Sequence, residues 1–462
     1  PNSLRKMKIR IATTCAALWL AAVPLQAQQT DPSAGTPAAT SAAEAPWTLE
    51  SSIEYAQQNN TEVQQRALQV ESSSIELSTA RYSRLPDLNA SVGGDASFGR
   101  ALTSDNTYQS NNQTSGSLNV SASMPLFQGM RINHQIAAGK LNLAAAVQDL
   151  ERIREDVAIN VMTLYLQVLY AKEMVGISER QVELSTLQVA NSRALAAEGK
   201  QPESVIYESE ALLANDRMSL TQARNDLQLA LLDLSQALNR QSAAGFDIVV
   251  PTLDSLALES FRASGSADAI YDYAAENRPH IKAEQLRLRS SEHNVDIARS
   301  ALYPSLSLAG GYGTGVYSAD DTKFWAQMRH NSREYVGLSL GIPIFNRRAS
   351  RNNIRSAQLA VRNQQLVLTA AELALRKEIE QAWYNADAAY AKYRAADTAL
   401  ASAEVAFRYE QEKAAAGRST VYDFNNAKTT MEKAQAEAAQ AKYEFIFRSK
   451  ILDYYHGKPL TL

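Results

Sequence analysis

Apolar and polar residues alternate in two short segments of the chain. The apolar positions of residues 117–124 share one face of an extended strand: Leu118, Val120, Ala122 and Met124. Those of residues 335–342 do the same: Val336, Leu338, Leu340 and Ile342. Because side chains of a strand point alternately to opposite faces, both segments predict strands with one apolar face. Their expected hairpin partners are residues 87–94 and 305–317, across polar loops such as residues 103–116.

A different pattern follows each hairpin. From Met130 to Ala197 there is no proline, and apolar residues recur every seven positions, broken once by Arg154: Val147, Val161, Val168, Val175, Val182 and Val189. A matching stripe runs through the second half: Leu368, Leu375, Ala382, Ala389, Ala396 and Ala403. This period is typical of coiled coils. At about 1.5 Å per residue, the predicted helix is on the order of 100 Å long. Gly199 and Gly417 fit the position just past the end of each long helix, where a positive φ is common. A second helix, at about 204–239 and at about 420–455, is then expected to run back along the first.

One offset relates the two halves of the sequence. Pro343 lies 218 positions after Pro125. The same offset pairs further residues: Pro86 with Pro304, Phe127 with Phe345, and Gly199 with Gly417. Self-similarity over such a length predicts two copies of one structural unit. Each copy has the order helix, strand, strand, long helix, tight turn, helix.

The offset also sets the predicted domain boundaries. The first copy, residues 47–239, holds strands within 87–126 and a helical hairpin over 128–239. The second copy, residues 266–456, holds strands within 304–345 and a helical hairpin over 346–456. Opening helices are expected over 48–83 and 266–301, because a residue that precedes a proline is pushed away from helix. Residues 240–265 join the copies, and residues 457–462 form a C-terminal tail.

The N-terminal residues 1–27 have the pattern of a secretory signal peptide. Lys6, Lys8 and Arg10 precede an apolar run, and small residues suit cleavage after Ala27. The single cysteine, Cys15, lies in this segment, so neither a disulfide nor a lipid anchor is expected in the mature chain. Residues 28–46 are rich in Ala, Thr, Pro and Ser and predict a flexible lead-in. Beyond residue 27 there is no apolar run of about 18 residues, so a transmembrane helix is not expected.

The predicted strands raise the question of how their edges are satisfied. Four strands are too few for a barrel, which needs about eight, and open sheet edges do not occur in hydrocarbon. The strands are therefore expected to close with other copies of the chain, and three chains would supply three times four, or twelve, strands. Helices of about 100 Å exceed a bilayer core of about 30 Å, so they are expected to project into the periplasm from the outer membrane.

Each Pro-x-Phe motif stands where a strand is expected to become a helix. Proline is tolerated there because it lacks the N–H that a sheet ladder would use. Phe127 and Phe345 could then rest at the membrane–water boundary, where aromatic residues concentrate. The alternative is that both rings pack at a domain corner.

In this order of elements the chain resembles the TolC family of outer-membrane efflux proteins, over nearly all of residues 47–456. The resemblance rests on the duplication, on MPLF and IPIF, on AENRPHI at the start of copy two, and on AAGRSTVYDF at the second turn. It implies a mainly α fold with a transmembrane β-barrel, in which a homotrimer builds a 12-stranded β-barrel and a long periplasmic α-helical barrel. It also implies outer-membrane lipid around the barrel, and a periplasmic adaptor protein and an inner-membrane pump as partners, in a Gram-negative bacterium.

The resemblance implies further that acidic residues ring the pore entrance. Asp423 falls on one ring position, and the second falls on the neutral Asn426. The family's arginine and tyrosine partners would fall at Ser419 and near Ala414, which do not match, and Arg418 is the available substitute. Alternatively, Asp423 is a solvated residue of a first helical turn, favoured by the helix dipole. The turns containing Gly199, Lys200, Gly417 and Arg418 are expected to face the adaptor, or else only to keep the hairpin tips soluble.

Composition narrows the remaining classes of function. A formal net charge of −3 over 462 residues does not suggest a nucleic-acid partner. Five histidines show no metal-ligand spacing, and no nucleophile with a base or phosphate loop is visible, so no metal, cofactor or catalytic residue is predicted. The leading interpretation is a passive exit duct for small molecules. A duct for type I protein secretion and a non-porous coiled-coil stalk or adhesin are the alternatives.

Overall fold

The computed structural model describes residues 47–102, 104–110, 112–251, 266–318, 322–416 and 418–461. The predicted signal peptide and lead-in, residues 1–46, lie outside the described residues. So do Gly417 and residues 252–265 of the segment that joins the copies.

The first copy contains four helices and four strands among the described residues. In chain order they are α1 (Leu49–Asn59), α2 (Thr61–Tyr82), β1 (Asp87–Ser97), β2 (Arg100–Leu102), β3 (Tyr108–Ser110), β4 (Gln113–Gln128), α3 (Arg131–Ala197) and α4 (Ser204–Ala237). The short strand β2 pairs with β3, which lies within the predicted polar loop of residues 103–116, and β4 begins inside the same loop, at Gln113. The tip of this hairpin is therefore more ordered than its polar composition predicts.

The second copy repeats this order. Its elements are α5 (Ala267–Asn277), α6 (Pro279–Ser300), β5 (Ser305–Tyr317), α7 (Phe324–His330), β6 (Arg333–Gly341), α8 (Ala349–Ala415) and α9 (Val421–Tyr455). The short helix α7 takes the place that β2 and β3 occupy in the first copy. None of the helices in the described part of the chain carries an apolar stretch long enough to cross a lipid bilayer.

The opening helix of each copy is broken, whereas the sequence predicts one continuous helix. The breaks fall at Asn60 and Arg278, which are 218 positions apart, and both have extended backbone, with φ near −65°. Asn60 caps α2, because its side chain accepts a hydrogen bond at 2.8 Å from the N–H of Glu62. Arg278 precedes Pro279, and a residue before proline is driven out of helix.

The four long strands form one antiparallel sheet in the order β1-β4-β5-β6. Their register aligns the predicted apolar positions across the strands: Leu88 with Ala122, Val92 with Leu118, Val120 with Tyr312, and Leu308 with Leu338. The opposite face carries small and polar residues: Asn89, Ser121, Gly311, Ser307 and Ser339. Within the described residues β1 and β6 each pair on one side only, so both outer edges of the sheet are open.

The two long helices, α3 and α8, each contain 67 residues. The first ends at Ala197, as the sequence predicts. Within its predicted apolar stripe Val161 and Val168 are fully buried, whereas Val147 is exposed in the single chain. The return helices pack along the long ones, and α3 also lies against α6, so the two copies share a common core.

Residues 240–251, which follow the first copy, pack against the middle of α3. The hydroxyl of Tyr165 donates a hydrogen bond at 2.7 Å to the carbonyl oxygen of Val249. Burial raises the pKa of Tyr165 to about 12, so the hydroxyl keeps its proton for this bond at neutral pH. Lys172, two turns further along α3, donates to the carbonyl of Ile248 at 2.9 Å. The joining segment is therefore fixed to the helix by specific polar contacts.

Arg278 connects three elements at the start of α6. Its guanidinium lies 3.5 Å from the centre of the Tyr454 ring and donates a hydrogen bond at 2.9 Å to Glu155. The hydroxyl of Tyr454 donates to the same carboxylate oxygen at 3.0 Å. Burial raises the pKa of Tyr454, and the neighbouring Glu155 raises it further. This buried arginine, from the AENRPHI motif, connects the start of α6 to α9 within the second copy and to α3 of the first copy.

Candidate functional site

The turn of the first helical hairpin lies between α3 and α4. Gly199 has a φ of +69°, the left-handed conformation that a residue just past a helix end often adopts. Its N–H donates to the carbonyl of Ala196, and the N–H of Lys200 donates to that of Leu195, both at 2.9 Å. The exposed side chain of Lys200 pairs with Glu198 at 2.6 Å. The turn thus presents a compact backbone with paired charges.

The second turn follows the same plan. The N–H of Arg418 donates to the carbonyl of Lys413 at 2.9 Å, which is the bond from Lys200 to Leu195 moved by 218 positions. Arg418 is exposed, and Gly417 lies outside the described residues. The hydroxyl of Ser419 donates to Glu410, which also pairs with Lys413 at 2.9 Å. These two contacts lower the pKa of Glu410. Ser419, where the TolC-like pattern has arginine, thus holds the end of α8 instead.

Asp423 lies in the first turn of α9. Its N–H donates a hydrogen bond at 3.1 Å to the side-chain oxygen of Thr420, and the Thr420 hydroxyl donates at 2.6 Å to the Asp423 carboxylate. This reciprocal arrangement caps the helix, and an acidic residue there also favours the helix dipole. Asn426 lies one turn further along, and both side chains are exposed. Asp423 therefore has a local capping role, and its exposed position also leaves it available to a pore.

A charged cluster around a buried lysine lies two to three turns beyond this cap, and no pattern in the sequence predicts it. The side-chain nitrogen of Lys428, on α9, is 2.6 Å from Asp216 on α4 and 2.6 Å from the hydroxyl of Ser185 on α3. It also forms an ion pair at 3.2 Å with Glu432. Lys428 is only 2% exposed. Asp216 lies 212 positions away in sequence, so spacing along the chain could not reveal the pair.

The cluster holds two carboxylates for one ammonium group. Burial raises the pKa of Glu432, and Asp216 adds to this, although Lys428 opposes both. Beside it, Phe407 and Phe424 pack with their ring centres 5.5 Å apart and with Met431 in one apolar cluster. Together these contacts fasten the start of α9 to α8 and to the hairpin of the first copy.

The prolines that were expected at the strand–helix junctions do not all stand there. Pro86 and Pro304 immediately precede β1 and β5. Pro125 lies inside β4, which continues to Gln128, and the pairing register shifts between Pro125 and Phe127. The proline therefore accompanies a bulge and does not end the strand.

The second junction differs from the first. The strand β6 ends at Gly341, and Pro343 follows outside regular structure. Phe345 is 81% exposed, whereas Phe127 is 44% exposed within its strand. The two phenylalanines thus occupy different local structures, and their contact with the membrane boundary stays a prediction.

The residues that precede each long helix have the same backbone conformation in both copies. Gly129 and Met130 have φ values of 59° and 65°, and Arg347 and Arg348, 218 positions later, have 54° and 64°. A Cβ on Gly129 would lie 2.8 Å from the carbonyl oxygen of Ser300. The same double left-handed turn therefore connects sheet and helix in both copies, and only the first uses glycine.

The chain thus combines a four-stranded sheet that has one apolar face with two helical hairpins whose long helices each contain 67 residues. The sequence model of outer membrane efflux proteins matches residues 52–240 and 270–450, which span both copies. The chain belongs to the outer membrane efflux protein family. The predictions of a TolC-like outer-membrane efflux channel and of a protein that is not an enzyme are confirmed.

Individual relatives are similar to this chain over most of its length. It is 23% identical over 412 residues to the outer membrane protein TolC of Escherichia coli, covering 85% of this chain and 78% of that one. It is 25% identical over 411 residues to the pyoverdine export outer membrane protein OpmQ of Pseudomonas putida, covering 85% and 82%. The crystal structure of the CmeC outer membrane channel of Campylobacter jejuni is similar in fold, with a TM-score of 0.74 at 18% identity, covering 88% and 85%.

Proposed function

We propose that three copies of this chain form the outer-membrane exit duct of a tripartite efflux system, and that the duct passes small molecules. One observation carries the proposal. The four-stranded sheet has a continuous apolar face and two open edges, and it leads directly into two 67-residue helices. Such a sheet requires partners along both edges before it can enter hydrocarbon.

Trimer formation satisfies the sheet edges. When β6 of one chain pairs with β1 of the next, three times four strands close into a ring of twelve. The apolar face then meets outer-membrane lipid, and the small polar face lines the lumen. A ring of more than about eight strands leaves room for an aqueous passage. The helical hairpins, which are too long for the bilayer, extend into the periplasm.

The hairpin turns are the proposed contact with a periplasmic adaptor protein, which in turn connects to an inner-membrane pump. Lys200 and Arg418 are exposed at equivalent positions of the two turns, so the trimer presents six similar tips. Asp423 and Asn426 follow the second turn and are the proposed pore entrance. Three symmetry-related Asp423 carboxylates would attract cations and repel anions in a narrow neck.

The names of two relatives favour small molecules as the cargo. OpmQ is a pyoverdine export protein, and other relatives carry the word efflux in their names. In this chain the lumen-facing residues of the sheet are mostly serine, glycine and asparagine, which offer no specific binding pocket. A passive duct of this kind leaves the choice of cargo to the pump.

Deletion of the gene in the source bacterium tests the proposed function. We expect a several-fold increase in sensitivity to dyes, detergents or drugs and a higher intracellular level of a fluorescent efflux substrate, both restored by the gene on a plasmid. A plasmid that encodes an equally expressed chain without residues 198–203 serves as the matched control and should not restore export. Unchanged sensitivity together with loss of a secreted protein would favour the type I secretion duct instead.

A further inference from the structure

Two histidines and one aspartate from different copies of the repeat meet beside the start of α3. His134 lies in the first turn of α3, and His293 and Asp296 lie one turn apart on α6. The Nδ1 atoms of the two histidines are 3.3 Å apart. Nδ1 of His134 is 3.7 Å from Oδ2 of Asp296, and one ligand atom of each residue lies within 4.8 Å of the others. All three side chains are half-buried.

These distances suit a metal ion. In a tetrahedral zinc site the imidazole nitrogens lie about 2.0–2.1 Å from the ion, which sets two ligand nitrogens about 3.3–3.4 Å apart. The separation of the histidine nitrogens matches this edge of the tetrahedron. Asp296 supplies a third ligand after a small side-chain rotation, and the partial exposure of the site leaves room for water at the fourth position.

A further contact holds the aspartate in place. The guanidinium of Arg299 donates a hydrogen bond at 2.9 Å to Oδ1 of Asp296, while Oδ2 points to the histidines. Carboxylates that ligate metals are commonly oriented by such hydrogen bonds. Because Asp296 and Arg299 are one turn apart on a regular helix, the carboxylate is held by a rigid element.

The donor atoms indicate which cations fit. Two of the three are imidazole nitrogens, which suit zinc, copper and nickel. Ca²⁺ and Mg²⁺ depend on several oxygen ligands, and this site offers a single carboxylate. The groove of about 770 Å³ next to Asp296 is lined by three arginines, Arg299, Arg355 and Arg362, whose charge weakens the binding of any dication.

We propose that His134, His293 and Asp296 bind a transition-metal dication, with Zn²⁺ as the reference ion, and that this ion clamps the long helix of the first copy to the opening helix of the second. The competing account is a metal-free contact in which the two facing nitrogens share one proton in a hydrogen bond. The accounts differ in a measurable way, since only the first requires zinc.

Zinc binding is measured on the full chain in detergent, purified without a polyhistidine tag and treated with EDTA. Isothermal titration should give one Zn²⁺ per chain for the unmodified protein and for His280→Ala. His280 is the matched control because it lies on the same helix and faces Arg152, 3.4 Å away. Binding should be lost in His134→Ala and in His293→Ala. Absence of binding to the unmodified protein, or full binding by His134→Ala or His293→Ala, overturns the proposal.

A second readout does not require the variants to fold. Diethyl pyrocarbonate modifies accessible histidines, and mass spectrometry locates the modified residues. Added Zn²⁺ should protect His134 and His293 severalfold in the unmodified protein and leave His280 unchanged. Equal modification of all three with and without Zn²⁺ contradicts the proposal.

Arg299→Gln tests the positioning of Asp296. This change keeps all three ligands, so we expect Zn²⁺ still to bind, about 10–100-fold more weakly. Affinity in the unmodified protein should fall as the pH is lowered, because both imidazoles must be neutral to bind the ion. An Arg299→Gln affinity equal to that of the unmodified protein would remove Arg299 from the site.

Discussion

The side-chain nitrogen of Lys428 lies 2.6 Å from Oδ2 of Asp216, in a contact that joins the last helix of the second copy to the last helix of the first. Ser185 completes the contact by donating a hydrogen bond to Asp216 and accepting one from Lys428. Since the proposed pore entrance at Asp423 lies on the same helix as Lys428, five positions earlier, this buried pair restrains the helix that would have to move if the entrance opens.

Removing the ammonium group should loosen this end of the molecule. Lys428→Ala leaves the largely buried carboxylate of Asp216, whose side chain is 12% exposed, without its cation, so we expect the free energy of unfolding to fall by about 3 kcal/mol. Thermal denaturation followed by circular dichroism measures the change. The control is Lys433→Ala, because Lys433 lies on the same helix but is exposed and should change stability by less than about 0.5 kcal/mol. Equal effects of the two changes would show that the Lys428 contact does not stabilise the fold.

The raised pKa of Glu432 predicts a pH dependence of stability. The folded protein holds this proton more tightly than the unfolded chain, so the related stability is present at acid pH and is lost as the pH rises through the folded-state pKa. Glu432→Gln cannot ionise and should therefore be more stable than the unmodified protein at pH 7. The difference between the two should shrink toward pH 4. Denaturation midpoints measured across this range would contradict the assignment if Glu432→Gln were the less stable protein at pH 7.

The double left-handed turn at the start of each long helix predicts opposite effects in the two copies. Gly129→Ala adds a methyl group 2.8 Å from Ser300 and should destabilise by about 1–3 kcal/mol. Arg347→Gly relieves an unfavourable φ and should stabilise by about 1 kcal/mol or less. Gly337→Ala, where the added carbon meets open space, is the control in denaturation experiments. Stabilisation by Gly129→Ala would contradict the close packing of this turn.

The proposed entrance ring predicts a change in ion selectivity. If Asp423 faces the pore, Asp423→Asn should lower cation selectivity and weaken block by a trivalent cation, and Asn426→Asp should strengthen both. Single-channel reversal potentials and block curves measure these effects. If Asp423 only caps the helix, its replacement should lower the stability by at most about 1 kcal/mol and leave the conductance unchanged. Unchanged selectivity and block in both variants would remove Asp423 from the pore.

The sequence predicted the large elements well because their signals are local and repeated. The seven-residue stripe and the absence of proline predict a helical hairpin that begins at residue 128, and its first helix, α3, runs from Arg131 to Ala197. The alternation of apolar and polar residues predicts the apolar face of the sheet. The 218-residue offset then predicts the equivalent elements in the second copy. The break at Arg278 has a local sequence signal, because Pro279 follows it.

The contacts that the sequence could not predict join residues far apart along the chain. His134 lies 159 positions from His293, so a search for metal-ligand spacing finds nothing. Lys428 resembles the many solvated lysines of a long helix until the fold brings Asp216 beside it. Pro125 predicts the end of a strand, because proline usually interrupts a ladder, but a bulge accommodates it within β4.

The most direct test of the efflux-duct account is the conductance of the purified protein in a planar lipid bilayer. Cross-linking of the same sample in detergent should first show three chains. We expect discrete single-channel steps from the unmodified trimer, or from Lys428→Ala if the resting entrance is closed, because the lumen of a twelve-stranded ring is aqueous. If the unmodified protein and Lys428→Ala both insert into the bilayer as trimers and neither carries current, the account is contradicted.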